Sequence, residues 1–177
     1  MASMIFTTFA NMKPHIHLIV AIGEDGSIGK KGDLIWKISD DLKNFKSLTT
    51  GHPVIMGRKT WESLPKRPLP KRRNIILTRQ KDYKAEGAEI VNSVEEALKL
   101  LNEEEPFIIG GSEIYKAFMP VTSLFHITKV FDTCREADSF LELPENLNLI
   151  SSSPVFPASE TNPAFQFLTF SSIDSES

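Results

Sequence analysis

In the stretch GDLIWKISDDLKNF at residues 32–45, two adjacent aspartates, Asp40 and Asp41, follow Trp36. Ser39 reads as an N-cap, which puts both carboxylates in a first helical turn, where the backbone dipole favours negative charge. That dipole accounts for either residue without any chemistry. Helical spacing separates them. Asp41, Phe45 and Leu48 fall at i, i+4 and i+7 with Leu42 alongside, whereas Asp40 aligns with Lys43, Asn44 and Ser47. Asp40 is expected in solvent. A carboxylate on an apolar stripe is costly unless something binds it, and partial burial raises its pKa toward proton-transfer use. A cationic or amidine-like ligand group would satisfy it.

A second constellation, Gly57-Arg58-Lys59-Thr60, closes a short apolar run and opens a helix. Free N–H groups at a helix start suit an anion, and the two bases add charge. Thr78 and Arg79 end the next apolar run and are expected near the same rim. The third is Ile109-Gly110-Gly111-Ser112, where paired glycines let backbone approach a ligand closely. A tight strand-to-helix turn explains that pair at least as well. Neither stretch is a P-loop or a G-x-G-x-x-G fingerprint. His15, His17, His52 and His126 lack metal-ligand spacing, so no metal is expected, and His15 and His17 read as structural neighbours on one strand face. No G-x-S-x-G, C-x-x-C or glycosidase-like carboxylate pair stands out.

The elements that must position these residues belong to a chain of 177 residues, a one-domain length. Its 41% hydrophobic and 24% charged content is that of a soluble globular protein. The single cysteine, Cys134, excludes an internal disulfide and fits a reducing cytoplasm. No apolar run approaches the roughly 20 residues of a membrane span. Residues 1–14 lack the features of a signal peptide and are set apart as a leader or expression remnant, with Met12 an alternative start and residues 15–177 one domain. Between Arg58 and Lys81, nine bases face one acid, Glu62, so this window carries +8 and the remainder −11. A basic island in an acidic chain points to a compact anionic ligand rather than a nucleic-acid track. For residues 66–73, a solvated lysine-rich loop is an equally good account.

The coarse pattern alternates strand and helix. Residues 15–22, 53–57, 74–78, 88–91, 107–109 and 123–130 read as strands. Helices are expected from Asp40, around 59–63, at 93–101 behind a Ser93/Glu96 capping box, and at 112–118. Residues 23–33 read as a loop, and 147–151 with 165–170 as a closing antiparallel pair. This predicts an α/β fold: a mostly parallel central sheet flanked by helices on both faces, with an antiparallel C-terminal strand. Ligands in such sheets bind beyond the carboxyl ends of the strands, where the three constellations fall.

Taken together, the segments resemble dihydrofolate reductases. The likeness is carried by residues 18–22 with 25–29, Leu34 and Trp36 to Phe45, PVIMGRKTWESLP at 53–65, RPLPKRRNIILT at 67–78, FIIGGSEIY at 107–115, and Ile127-Thr128. It implies NADPH-dependent reduction of 7,8-dihydrofolate to 5,6,7,8-tetrahydrofolate, with hydride passing from nicotinamide C4 to pterin C6 and N5 gaining a proton through water. By that likeness Asp41 is the buried carboxylate that pairs with the pterin N3 and 2-amino edge. Thr128 resembles its hydrogen-bonding threonine, and Trp36 the residue holding a nearby water. Ile19, Val20, Ala21, Leu42, Phe45, Leu64, Leu69 and Ile109 match the walls around the substrate, and Arg72 the arginine that grips the glutamate α-carboxylate.

For the cofactor, the resemblance implies Ala21, Ile28 and Tyr115 around the nicotinamide, with Gly29, Leu34, Gly57, Leu77, Ile109, Glu113 and Ile114 also among the cofactor-binding residues. It places Thr60, Gly110, Gly111 and Ser112 at the pyrophosphate, the two glycines being joined by a cis peptide in the family. Arg58, Lys59, Thr78 and Arg79 fall where the 2′-phosphate is read, which favours NADPH over NADH. The family further implies a monomer, antifolate sensitivity, and a mobile loop at residues 30–34 over the nicotinamide, with neither nucleic acid nor membrane as partner. Three features depart from the pattern: Ile35 replaces a proline, Glu113 stands where some members have a base, and an insertion lies near Pro65 and Lys66. Two other readings are a reductase of a riboflavin-pathway pyrimidine and a non-catalytic nucleotide-binding module.

Overall fold

A computed structural model of the chain describes residues 13–172. The expected leader therefore lies outside the described residues as far as position 12, Met12 included. The central strand β1 (His17–Ile22) is a run of mostly buried residues. A hairpin of β2 (Ser27–Lys30) and β3 (Asp33–Leu34) follows, then α1 (Ser39–Thr49), β4 (Val54–Gly57), α2 (Arg58–Ser63), β5 (Asn74–Leu77) and β6 (Glu89–Val91). The chain continues through α3 (Val94–Leu101), β7 (Phe107–Gly110), α4 (Ser112–Phe118), a 3-10 turn at Met119–Val121, and β8 (Leu124–Val130). It closes with β9 (Ser139–Phe140), β10 (Leu147–Ser152) and β11 (Phe165–Ser172).

The main sheet has eight strands in the order β10-β11-β8-β1-β7-β4-β5-β6. From β8 across to β6 every pairing is parallel; β11 runs antiparallel to β8, and β10 antiparallel to β11. Alternation along each strand sends side chains to two faces. Leu18, Ile55, Ile75 and Ile108 pack with Ala97 and Leu101 of α3 and with Tyr115 and Phe118 of α4. Ile19, Val54, Met56 and Ile76 pack on the other face with Trp61 of α2 and with Phe45 and Leu48 of α1. Each such aliphatic side chain, fully buried, contributes about 2 kcal/mol. This is the mostly parallel sheet with helices on both faces that the strand-helix alternation predicts.

The capping box at α3 forms, with one difference. Ser93 Oγ accepts from the Glu96 N–H at 3.1 Å, while the Glu96 carboxylate accepts from Asn92 N–H at 2.7 Å, one residue ahead of the cap. Ser39, by contrast, does not cap α1. The N-cap is Ile38, whose carbonyl accepts from Leu42 N–H at 3.0 Å with no side-chain cap. Ile38 is 2% exposed and sits against Val130 and Phe165, so core packing rather than a hydroxyl fixes where α1 starts. Asp40 and Asp41 keep their places in the first turn, Asp40 exposed and Asp41 half-buried.

Residues 23–33, expected as a loop, contain most of the β2–β3 hairpin. Its two-residue turn is Lys31-Gly32, with φ of 49° and 76°, the positive values that two-residue hairpins favour. β9 pairs with β2 to complete a three-stranded sheet. Strands this short carry almost no periodicity, which is why the sequence pattern hides them.

His15 lies just outside β1, because its N–H bonds to Glu105 Oε1 and that of Ile16 to Ser123 Oγ, both at 3.2 Å. All four histidines nonetheless gather near the amino-terminal ends of the strands. The His17 ring stacks on Phe107 and on His126, at centroid distances of 4.4 and 5.2 Å, with the His15 and His52 rings within 6.4 Å. His17 Nδ1 and His126 Nε2 are 2.9 Å apart, so one must accept and the two rings cannot both be protonated. Burial, with His17 adding to it, pushes His126 down to about 4. Burial lowers His17 as well, with His52 and His15 adding to it, against the opposing pull of Glu105. Both folded values lie below the unfolded one, so the unfolded chain binds more protons as the medium acidifies. Stability from the neutral pair is complete above 6.5 and is lost as pH falls toward 4. Denaturation midpoints should drop across that window, and drop less in His126→Gln; equal slopes would show that the pair contributes nothing.

Candidate active site

Asp41 projects from the first turn of α1 toward β8. There Thr128, 3% exposed and paired across the ladder with Ala21, donates its hydroxyl to Asp41 Oδ1 at 2.5 Å. Burial raises the Asp41 pKa above the ordinary carboxylate value, and the Thr128 bond, which favours the charged form, opposes that rise. The carboxylate lines a cavity of about 1270 Å³ at the carboxyl ends of the parallel strands. Single-ligand pockets run to about 300–1,000 Å³, and this one lies above that range.

One wall is α1 itself. Asp41, Phe45 and the buried Thr49 follow at intervals of four on one helix face; of α1, Asp41, Leu42, Phe45 and Lys46 line the cavity, and Thr49 reaches it only through Arg72. At the far end Arg72 enters the cavity, its Nε donating to Pro70 O at 2.9 Å and its Nη1 to Thr49 Oγ1 at 3.0 Å. Burial pulls the Arg72 pKa below its usual value. Ile19, Val20, Ala21, Leu64, Leu69 and Ile109 complete an apolar lining between these polar ends.

The other half is built from backbone. A cis peptide joins Gly110 to Gly111, and Gly110 has φ of 115°, a value that favours glycine. A Cβ there would lie 3.1 Å from the Tyr115 ring, and one on Gly57 would lie 3.0 Å from Ile114. Tyr115 is buried with its hydroxyl shared between Ile19 O at 2.8 Å and Ile109 O at 2.9 Å; burial raises its pKa, with the Asp41 charge adding to the effect. Its ring thus closes off the space behind the paired glycines. Thr60, Ser112, Lys59, Thr78 and Arg79 line this half of the cavity, as do Leu77, Glu113 and Ile114. A glycine cradle flanked by bases fits a polyanionic nucleotide.

A dihydrofolate reductase family model matches residues 15–172. The chain belongs to the dihydrofolate reductase family. It is 50% identical to the dihydrofolate reductase of Neisseria meningitidis over 126 residues, 71% of this chain and 77% of the relative. It is 36% identical to that of Bacillus subtilis over 157 residues, 88% of this chain and 93% of the relative. Among solved structures, its fold is similar to the dihydrofolate reductase from Enterococcus faecalis complexed with NADP(H) and RAB-propyl. That likeness has a TM-score of 0.83 at 32% identity, covering 92% of this chain and 98% of the other.

Most of the residues that the family resemblance singles out meet in this cavity, including Ile28, Gly29 and Leu34 from the hairpin. Thr128 touches it only through Asp41. Trp36 stands outside the lining: its indole N–H donates to Asp132 at 3.1 Å, and its ring packs near Ile38 and Val130. Arg58 lines the rim, but Glu62 holds its guanidinium through contacts of 3.0 and 3.1 Å, and Tyr83 donates to the same carboxylate. The basic island also divides. Arg58, Lys59, Arg72 and Arg79 line the cavity, whereas Arg73 is bound to Glu89 and Glu104 at 2.5 and 2.6 Å, and Arg67 lies over Trp61. Gln80, Asn92, Ser93 and Val94 join the lining without having been singled out. The rule that ligands gather at carboxyl ends of strands, applied to β6, would have found the last three. Among the described residues no group of three or more His, Cys, Asp or Glu is placed to hold a metal.

Because the Thr128 hydroxyl favours ionised Asp41, Thr128→Val should raise the Asp41 pKa further. A carboxyl-carbon NMR titration should then show its midpoint moved upward, and an unmoved midpoint would contradict the opposition of burial and hydrogen bond described above.

Proposed function

We propose that this chain reduces 7,8-dihydrofolate to 5,6,7,8-tetrahydrofolate with NADPH. The observation that supports it most is the placing of a half-buried, hydroxyl-braced carboxylate and an arginine at opposite ends of one helix-lined wall. From Asp41 to Thr49 the helix rises roughly 12 Å, a span suited to a flat heterocycle at one end and a carboxylate tail at the other. Asp41 receives the amidine-like N3 and 2-amino edge and polarises the ring, so that N5 takes its proton from water. Phe45 and the aliphatic lining hold the rings and exclude bulk solvent, which strengthens the carboxylate contact. Arg72 takes the glutamate α-carboxylate.

NADPH, when bound, supplies the hydride. Gly110, Gly111, Ser112 and Thr60 would hold its pyrophosphate, and Lys59, Thr78 and Arg79 its 2′-phosphate, with Arg58 contributing less because Glu62 engages it. The NADP(H) of the Enterococcus faecalis relative supports this choice of cofactor. The same reading carries antifolate binding, a monomeric state and a cytoplasmic place. No helix among the described residues is long and apolar enough to cross a membrane. A pyrimidine reductase has less use for Arg72 at the end of an apolar slot.

Loss of NADPH absorbance, followed with dihydrofolate, with a ribitylated pyrimidine and with neither, separates the readings. Only the first should be consumed; the absence of dihydrofolate-dependent loss would sink this one. Asp41→Asn should lower turnover about a hundredfold or more while NADPH affinity stays as it was, and an active variant would mean that another group anchors the pterin. Lys59→Ala with Arg79→Ala should erode the preference for NADPH over NADH, measured as the ratio of kcat/KM values.

A further inference from the structure

Glu62 is the one acid between Arg58 and Lys81, and it follows Arg58 by four residues on α2. Both of its carboxylate oxygens accept from the same nitrogen, Arg58 Nη1, at 3.1 and 3.0 Å. Tyr83, in the segment that follows Arg79, donates its hydroxyl to Glu62 Oε1 at 3.2 Å. Burial, with the Glu62 charge adding to it, raises the Tyr83 pKa above its ordinary value, so the phenol remains a donor. The carboxylate is thus held beside Arg58 by a second contact from a different part of the chain. Of the bases Arg58, Lys59 and Arg79 on this half of the cavity, Arg58 alone has an acid partner among the described residues. The pair is open to solvent, with 32% of the Arg58 side chain and 43% of the Glu62 side chain exposed.

On the reading of the cavity as an NADPH site, we propose that Glu62 sets cofactor specificity by competing with the 2′-phosphate for Arg58. An exposed ion pair of this i, i+4 kind holds only weakly in water. A phosphate monoester carries more charge than a carboxylate and offers three acceptor oxygens, so it displaces Glu62 from the guanidinium. The exchange breaks one pair to make another, and the displaced carboxylate stays nearby as a like charge. Both effects reduce the net gain from the phosphate. A cofactor without that phosphate leaves the pair intact. Glu62 therefore lowers the affinity for NADPH and not for NADH, and it moderates a preference that Lys59, Thr78 and Arg79 create. It touches no reacting atom.

The test compares Kd for NADPH and for NADH by fluorescence titration. Glu62→Gln, which keeps shape and loses the charge, should tighten NADPH binding roughly two- to fivefold, the range of an exposed ion pair. Kd for NADH should stay at the parent value, and the NADPH gain should shrink as added salt screens the charges. Arg58→Ala should weaken NADPH binding more in the Glu62→Gln background than in the parent, because only there is the guanidinium uncommitted. Equal shifts for the two cofactors, or no shift for NADPH, would overturn the proposal. Weaker NADPH binding by Glu62→Gln would overturn it in favour of a brace that presents Arg58 to the phosphate. If the glutamine variant does not fold, Glu62→Ala supplies the same comparison. Failure of the parent chain to oxidise NADPH with dihydrofolate would instead overturn the functional reading on which the proposal rests.

Discussion

A carboxylate held out of water is the constraint around which this molecule is arranged. Asp41 sits at a helix start, half-buried, with one hydroxyl from β8 and no cation bonded to it among the described residues. Withdrawing such a group from water without a counter-charge is unfavourable, and the Thr128 hydroxyl opposes the resulting rise in its pKa. The remainder is held as a raised pKa and a standing demand for a hydrogen-bonding partner. Two adjacent N–H groups on one edge are the chemistry that answers such a demand.

The sheet makes this arrangement possible. Parallel strands deliver the ends of β1, β4, β5, β6 and β7 to one side, and alternation along them sends α1 and α2 to one face and α3 and α4 to the other. The cavity opens between these layers, lined on the α1 side by apolar groups with a charge at each end. On the side of β4 and β7 it is lined by backbone that approaches closely at Gly57, Gly110 and Gly111. Tyr115 joins the halves, since its hydroxyl bridges carbonyls of β1 and β7 behind the glycines. The fold thereby gives two ligands separate chemical surroundings within one continuous space.

Spacing was most informative where a side chain's direction follows from local geometry. Asp41 parts from Asp40 because helix period alone decides which of two neighbours faces the sheet. Ser93 and Glu96 meet because an N-cap is a contact within one turn. The expectation for Ser39 failed at the same level: Ile38 buries itself against Val130 and Phe165, residues remote in sequence, and this long-range packing outweighs a local hydroxyl cap. The β2–β3 hairpin was hidden for a related reason, since its strands are too short to show a period and acquire their pairing partly from β9.

Charge shows the division most plainly. The basic island is visible in the sequence, and with the shared motifs it is enough to assign the family and the class of ligand. Which bases reach a ligand is another matter, because an ion pair is decided by what lies opposite in space. Glu62 takes Arg58, Glu89 and Glu104 take Arg73, and Asp132 takes the Trp36 indole, leaving Lys59, Arg79 and Arg72 toward the cavity. The sequence by itself determined the fold class, the family and which of the two aspartates turns toward the sheet, all of which follow from local periodicity and motif order. Only the tertiary structure decided the start of α1, the partners of the bases and the contact of Thr49 with Arg72, because each depends on contacts between residues that the chain brings together only when folded.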